Sequence, residues 1–93
     1  MKTKILKFKP SNPFIDILPK IDVHGYTMDT IFVPVNDFIN DNLKLNKKKI
    51  VIIHGIGAKI LSSEIKRLFA KDKRVSKLYL SPDNLGCTII ELK

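Results

Sequence analysis

The sequence is short of cross-linking and metal-binding side chains: it has one cysteine, two histidines and no tryptophan. The single thiol, Cys87, cannot form an internal disulfide, so the chain fits a reducing compartment and we expect it in the cytoplasm. His24, His54 and Cys87 together are fewer than the four ligands of a structural zinc site. We therefore predict no metal centre and no bound cofactor.

Long apolar segments are also missing. No run of about 18 apolar residues is present, which predicts that no segment spans a membrane. The N-terminal segment MKTKILKFK is basic, but no apolar block follows it, so it does not have the pattern of a secretory signal. With 93 residues, of which 44% are hydrophobic, the chain suits one globular domain, which we expect to be monomeric. Met1 favours a freestanding protein.

Positive charge dominates the chain but is unevenly distributed. The net charge is +8 and the pI is about 9.8, which favours a polyanionic partner, most often nucleic acid. Residues 22–43 carry four aspartates and no basic residue, whereas residues 44–93 carry twelve basic and four acidic residues. We expect oppositely charged faces, with DNA or RNA bound at the basic one. Solubility alone is the competing explanation of the charge.

The chain divides into an N-terminal basic arm, residues 1–20, and a domain, residues 21–93. Pro10, Pro13 and Pro19 interrupt any regular element in the arm. The arm is therefore either a partly ordered tail or a segment that packs on the domain.

The first half of the domain predicts a strand followed by a helix. Ile21–Val23 is the strand, and Thr27 is a good N-cap for a helix from about Met28 to about Leu45. Pro34 lies inside this span and should kink the helix after its first turn. The alternative is a helix that begins near Val33.

The second half predicts a strand, a helix and a hairpin. Ile50–Ile53 is a β-branched run typical of a central strand, and a helix follows from about Lys59 to about Lys71. Val75–Leu80 and Cys87–Leu92 should form an antiparallel hairpin. The order β-α-β-α-β-β predicts an α/β (α+β) two-layer sandwich with a four-stranded mixed sheet and two helices.

A short pattern recurs at the ends of the first two strands, where Ile21–Gly25 and Ile52–Gly55 both close with His-Gly. Parallel neighbouring strands would bring His24 and His54 to the same carboxyl edge of the sheet, where open α/β sheets bind ligands. A single His-Gly at a strand end is usually only a turn. Two on one edge favour a functional site.

Each residue type at this edge has a chemical reason to be there. His24 can exchange protons near neutral pH, and Asp22, on the same face of the strand, can orient the imidazole. Gly55 and Gly57 precede a helix N-terminus, which offers amides to a phosphate, and Lys59 adds positive charge. Further candidate nucleic-acid-binding residues are Gly25, the potentially stacking Tyr26, and the basic helix residues Lys66 and Arg67.

These segments resemble a known family. Ile21–Tyr26 resembles the Leu-Asp-Leu-His-Gly signature that opens the Smr (small MutS-related) domain, and Val51–Gly57 resembles its second signature, Ile-Ile-His-Gly-x-Gly. Gly86–Lys93 is similar to the family's closing strand, so the likeness runs from Ile21 to Lys93.

The resemblance implies a fold similar to the C-terminal domain of bacterial translation initiation factor 3. It also implies nucleic-acid binding, with DNA nicking or RNA endonuclease activity in several members and action on ribosomes in some. Asp22 and His24 match the family's Asp-x-His motif, linked to cleavage, and His54 belongs to its His-Gly-x-Gly motif. We take these three as the candidate catalytic residues.

The chain also departs from the family pattern. Ile56 stands where members usually carry Lys or Arg, Ala58 where they carry Thr or Ser, and Ser62 where Arg is common. Two hypotheses follow: an endonuclease that uses Asp22 and His24, whose need for Mg²⁺ the sequence leaves open, and a non-catalytic module that binds RNA, DNA or the ribosome.

Overall fold

The computed structural model describes residues 17–93, so most of the predicted arm lies outside the described residues. Six elements follow in the predicted order. They are β1 (Lys20–Asp22), α1 (Phe32–Lys44), β2 (Lys49–Ile53), α2 (Lys59–Phe69), β3 (Val75–Leu80) and β4 (Cys87–Leu92). No helix in this part of the chain is long and apolar enough to cross a membrane.

The four strands form one mixed sheet in the order β1-β2-β4-β3. β1 and β2 are parallel, with Asp22 aligned with Ile53. β4 lies between β2 and β3 and is antiparallel to both. The predicted fold class, a four-stranded mixed sheet with two helices, is confirmed. Among the described strands, β1 lies at the edge of the sheet, whereas β2 is paired on both sides, and this difference decides the exposure of the two histidines.

The hydrophobic core lies between the helices and one face of the sheet. Alternate residues of β2, Ile50 and Ile52, belong to the same buried cluster as Ile39 of α1 and Phe69 of α2. This pattern follows from the period of two in a strand and the period of 3.6 in a helix. Because one cluster takes residues from both helices and from the same side of the strands, both helices cover the same face of the sheet.

The start of α1 corrects one sequence prediction. The helix begins at Phe32, not near Met28, so Pro34 falls in its first turn. Proline is tolerated there because the first amides of a helix have no intrahelical acceptor to lose. The kinked helix was therefore the wrong interpretation, and the alternative start near Val33 is confirmed to within one residue.

Thr27 has a different role from the predicted N-cap. Its carbonyl accepts the amides of Thr30 and Ile31, at 3.1 and 2.9 Å, in a separate turn that precedes α1. The two threonine hydroxyls are 3.1 Å apart and close this turn. Ile31 is the capping residue of α1 and provides no side-chain hydrogen bond.

Candidate functional site

Both His-Gly pairs lie at one edge of the sheet. The parallel pairing of β1 with β2 continues past the strands, since the Val23 amide donates to the Ile53 carbonyl at 2.8 Å. His24 and His54 therefore leave the sheet at the same carboxyl end, as the sequence predicts. Their surroundings, however, differ sharply.

The side chains of Asp22 and His24 form an exposed pair. His24 Nδ1 lies 2.6 Å from Asp22 Oδ1, and the same oxygen accepts the His24 backbone amide at 3.0 Å. The hydrogen bonds from the His24 side chain and backbone hold the pKa of the Asp22 carboxyl below its usual value. The His24 side chain is 78% exposed. With Nδ1 donating to a carboxylate, Nε2 is left as a solvent-facing base.

His54 is buried, with only 2% of its surface exposed. Its Nδ1 lies 3.1 Å from the Gly55 carbonyl oxygen, which can only accept, so Nδ1 carries a proton. Its Nε2 lies 2.9 Å from the Thr88 hydroxyl. Both ring nitrogens are therefore engaged inside the protein. His54, a candidate catalytic residue in the sequence, is therefore enclosed at this edge, because the neighbouring strand β4 covers the end of β2.

The segment after His54 is shaped by glycines with positive φ. Gly55 and Gly57 have φ values of 100° and 87°, a region that side chains disfavour. The amides of His54 and Gly55 both donate to the Gly86 carbonyl at 2.9 Å. The Gly55 amide, which the sequence offered to a phosphate, is therefore already used.

Two further amides of this loop are candidates for contact with an anion, whereas the Ala58 amide donates to the Gly55 carbonyl at 3.2 Å. Among the described residues, no hydrogen bond is made by the amides of Ile56 and Gly57. α2 begins at Lys59 after Ala58, which provides no side-chain cap. The amides of the first helical turn have no intrahelical acceptors, and the helix dipole places positive potential there. The candidate anion site therefore has fewer amides than the sequence predicts, because the Gly55 amide is hydrogen-bonded to Gly86.

Sequence reasoning missed Gly86 and Thr88, which support this loop from the β3–β4 hairpin. A Cβ atom on Gly86 would lie 3.0 Å from the Ile56 amide nitrogen and 3.1 Å from the Gly55 carbonyl carbon. Thr88 is a hydroxyl residue in an otherwise apolar stretch of β4. A lone polar residue in a buried strand was the available signal, although its partner is 34 residues away.

The three predicted basic residues, Lys59, Lys66 and Arg67, have different surroundings. Lys59 lines a cavity beside the glycine loop, and Lys66 lines the next cavity along α2. Arg67 instead makes two hydrogen bonds to Glu64, from Nε at 2.9 Å and from Nη2 at 2.5 Å. This contact raises the pKa of Arg67 and lowers that of Glu64. Part of the positive charge of Arg67 is therefore neutralised within the protein.

Gly25 and Tyr26 lie just after β1, at the carboxyl edge of the sheet. Tyr26 is exposed, and its amide donates to the Val23 carbonyl at 3.0 Å. Gly25 has a φ of 140°.

Among residues 17–93, no group of three or more His, Cys, Asp or Glu side chains is arranged to hold a metal ion.

Comparison with known proteins identifies relatives of the whole domain. The family model described as "Smr domain" matches residues 21–93. The chain is similar to "Endonuclease MutS2" of Alkaliphilus metalliredigens, with 28% identity over 93 residues, which is 97% of this chain and 11% of that protein. It is also similar to "Endonuclease MutS2" of Finegoldia magna, with 35% identity over 81 residues, which is 84% of this chain and 10% of that protein. The chain thus spans about a tenth of the length of these relatives.

A solved structure shows the same fold. The crystal structure of the Smr domain of Thermus thermophilus MutS2 matches with a TM-score of 0.76 and 23% identity. The match covers 82% of this chain and 99% of that one.

Proposed function

Because the chain belongs to the Smr domain family, we propose that it binds nucleic acid and cleaves its phosphodiester backbone as an endonuclease. Two relatives carry the name of an endonuclease, although this chain spans only a tenth of each. The observation that carries the proposal is the exposed Asp22–His24 pair at the carboxyl edge of the sheet, 2.6 Å from nitrogen to oxygen.

His24 is the proposed general base. Its Nε2 accepts the proton of a ribose 2′-hydroxyl or of a water molecule, and the resulting oxygen nucleophile attacks phosphorus. The P–O bond to the leaving oxygen then breaks, giving a cyclic phosphate from the 2′-hydroxyl or a phosphomonoester from water. The leaving oxygen takes up a proton from solvent, and the His24 imidazolium returns its proton to solvent. Asp22 holds Nδ1 and stabilises the imidazolium that forms. Asp22 is ionised at neutral pH, as an ordinary carboxyl is, and the hydrogen bonds from His24 lower its pKa further.

The glycine loop is the proposed phosphate site. The amides of Ile56 and Gly57 and the start of α2 would face the scissile or a neighbouring phosphate, with Lys59 offsetting charge. His54 is a positioning residue in this scheme. Its buried ring ties the Gly55 carbonyl to Thr88, so it fixes the loop without touching the substrate.

The alternative is a binding module without catalysis. Three observations favour it: an aliphatic side chain, Ile56, where the family usually has a cation; a Gly55 amide committed to Gly86; and an Arg67 paired with Glu64. Each of these weakens the stabilisation of a charged transition state. None of them prevents binding through the basic residues of α2.

Cleavage assays on single-stranded RNA and supercoiled plasmid, with and without Mg²⁺, separate the two functions. We expect His24→Ala to lower the cleavage rate by about a hundredfold or more, the usual contribution of a general base. Binding should be retained, because the ring is exposed and makes no core contact. Asp22→Asn removes the carboxylate that holds Nδ1 and should also lower the cleavage rate. Asp37→Asn, on the exposed side of α1, is its matched control. Salt-sensitive binding without cleavage by the wild type would establish the binding module instead.

Binding itself is tested by charge removal. Lys59→Ala should weaken binding and make it less dependent on salt, because one phosphate contact is lost. Lys71→Ala, an exposed lysine beyond the end of α2, is the matched control. Equal losses in the two variants would mean that the net charge of the chain, and not the glycine loop, drives binding.

The ribosome, cytoplasmic location and a monomeric state complete the proposal. Ribosomal RNA would offer an extended anionic surface to the basic second half of the chain. Salt-sensitive cosedimentation with ribosomes tests the partner, and light scattering after size-exclusion chromatography tests the monomer.

A further inference from the structure

Two neighbouring cavities beside the glycine loop share part of their lining. The first, of about 290 Å³, lies between the loop and the β3–β4 hairpin, and its walls include Ile56, Leu80 and Leu85. The second, of about 360 Å³, runs along α2 and includes Leu78 and Lys66. They share Ser62 and Leu80, so we call them together the loop groove.

The mouth of the loop groove is apolar and exposed. Ile56 is 80% exposed, Leu85 62% and Leu80 47%. An aliphatic side chain at the tip of a phosphate-binding loop cannot contact a phosphate favourably, because it offers no hydrogen-bond donor. It can pack against the flat face of a nucleobase, as aliphatic wedges do in other nucleic-acid-binding proteins.

The charge around the groove suits a nucleotide strand. Lys59 lines the first cavity and Lys66 the second, and none of the described residues that line either cavity is acidic. Ser62, Ser63 and Thr88 also line the second cavity, with the hydroxyls of Ser62 and Thr88 hydrogen-bonded to the Lys59 carbonyl and to His54. Apolar walls and two flanking cations together match a base with phosphates on either side.

We propose that the loop groove receives an unpaired base, so that the protein selects single-stranded nucleic acid over duplex. A duplex keeps its bases stacked and presents only sugar and phosphate to a loop of this shape, so Ile56 and Leu85 would remain unpartnered. A single strand can turn a base out and bury these side chains. The inference rests on the proposed nucleic-acid binding and specifies its substrate class.

The test compares three probes of equal length by fluorescence anisotropy: a single strand, a hairpin duplex and a fully abasic single strand. We expect the wild type to bind the single strand roughly fivefold or more tightly than the other two, as for the loss of one stacked base. The double variant Ile56→Ser/Leu85→Ser should reduce binding of the single strand to the level of the duplex. Binding of the duplex by the same variant is measured as the reference.

The controls keep the result interpretable. Leu45→Ser replaces an equally exposed leucine that follows α1, and it should alter no affinity. Ile56→Lys should strengthen duplex binding and reduce the preference for the single strand. Circular dichroism melting verifies folding of each variant, which we expect because the replaced side chains are exposed.

The outcomes separate the inference from the proposed function. Salt-sensitive binding with equal affinity for all three probes, unchanged in Ile56→Ser/Leu85→Ser, would overturn the base-binding groove and leave nucleic-acid binding intact. Binding to none of the probes would overturn both. A preference for the single strand that persists in the double variant would also refute the groove, because another surface would then be the origin of selectivity.

Discussion

The hydrogen bond between His54 and Thr88 joins the loop to β4 inside the protein, and Thr88→Val tests its importance. The two residues are 2% and 1% exposed, and the bond is 2.9 Å long. Valine has the shape of threonine but lacks the hydroxyl, so the change leaves His54 Nε2 buried without a partner. Rotating the ring to give Nε2 another partner would break the hydrogen bond from Nδ1 to the Gly55 carbonyl.

The expected cost follows from this geometry. A buried polar atom left without a hydrogen bond costs about 1–3 kcal/mol. Thr88→Ser keeps the hydroxyl and removes one buried methyl, at about 1 kcal/mol. Urea unfolding should therefore rank Thr88→Val as the less stable variant. For a domain of this size, 1 kcal/mol corresponds to a shift of about 4–8 °C in Tm.

A double-mutant cycle isolates the bond from the packing around it. In a His54→Phe background, Thr88→Val should cost clearly less than in the wild type, because no ring nitrogen is left unpaired. If Thr88→Ser were the less stable variant, or if the cost of Thr88→Val were the same in both backgrounds, methyl packing and not the hydrogen bond would hold the loop.

Three further predictions follow from other contacts. Gly86→Ala should lower stability by about 1–3 kcal/mol, as for other tight packing, and also weaken nucleic-acid binding, because its Cβ would press on the Ile56 nitrogen; wild-type affinity would contradict this. Hydrogen bonding to Arg74 lowers the pKa of Asp72, so this contact stabilises the fold above the carboxyl's usual pKa and is lost as pH falls through the depressed one. Asp72→Asn should then cost about 1 kcal/mol at pH 7 and progressively less in acid, as measured by urea unfolding across pH. Burial raises the pKa of the Cys87 thiol, so a thiol reagent should modify it slowly in the native protein and rapidly in urea; equal rates would refute its burial.

Local patterns in the sequence predicted the elements and the sheet edge well. The β-branched run Ile50–Ile53 lies in the central strand β2, and the two His-Gly pairs follow parallel strands, as their spacing indicated. Both patterns depend on neighbours within a few residues or on the handedness of β-α-β units. Local sequence patterns are therefore sufficient to predict these features.

The errors came from contacts between distant segments. The residues near Pro34 do not show whether it falls in the first turn of α1 or in its interior, because a helix capped by Thr27 is also consistent with the sequence. The burial of His54 depends on the insertion of β4 between β2 and β3, and a hairpin prediction does not fix which of its strands pairs with β2. Gly86 and Thr88 were missed for the same reason.

The position of each strand in the sheet gives the two histidines different surroundings. Among the described residues, β1 pairs with β2 alone, and His24, which lies two residues beyond its end, has a side chain that is 78% exposed. β2 is paired on both sides, so His54 is enclosed and its nitrogens are used to hold the glycine loop. A repeated His-Gly motif therefore does not require two equivalent catalytic groups. In the function that we propose, His24 after the edge strand is the general base, and His54 after the central strand positions the glycine loop.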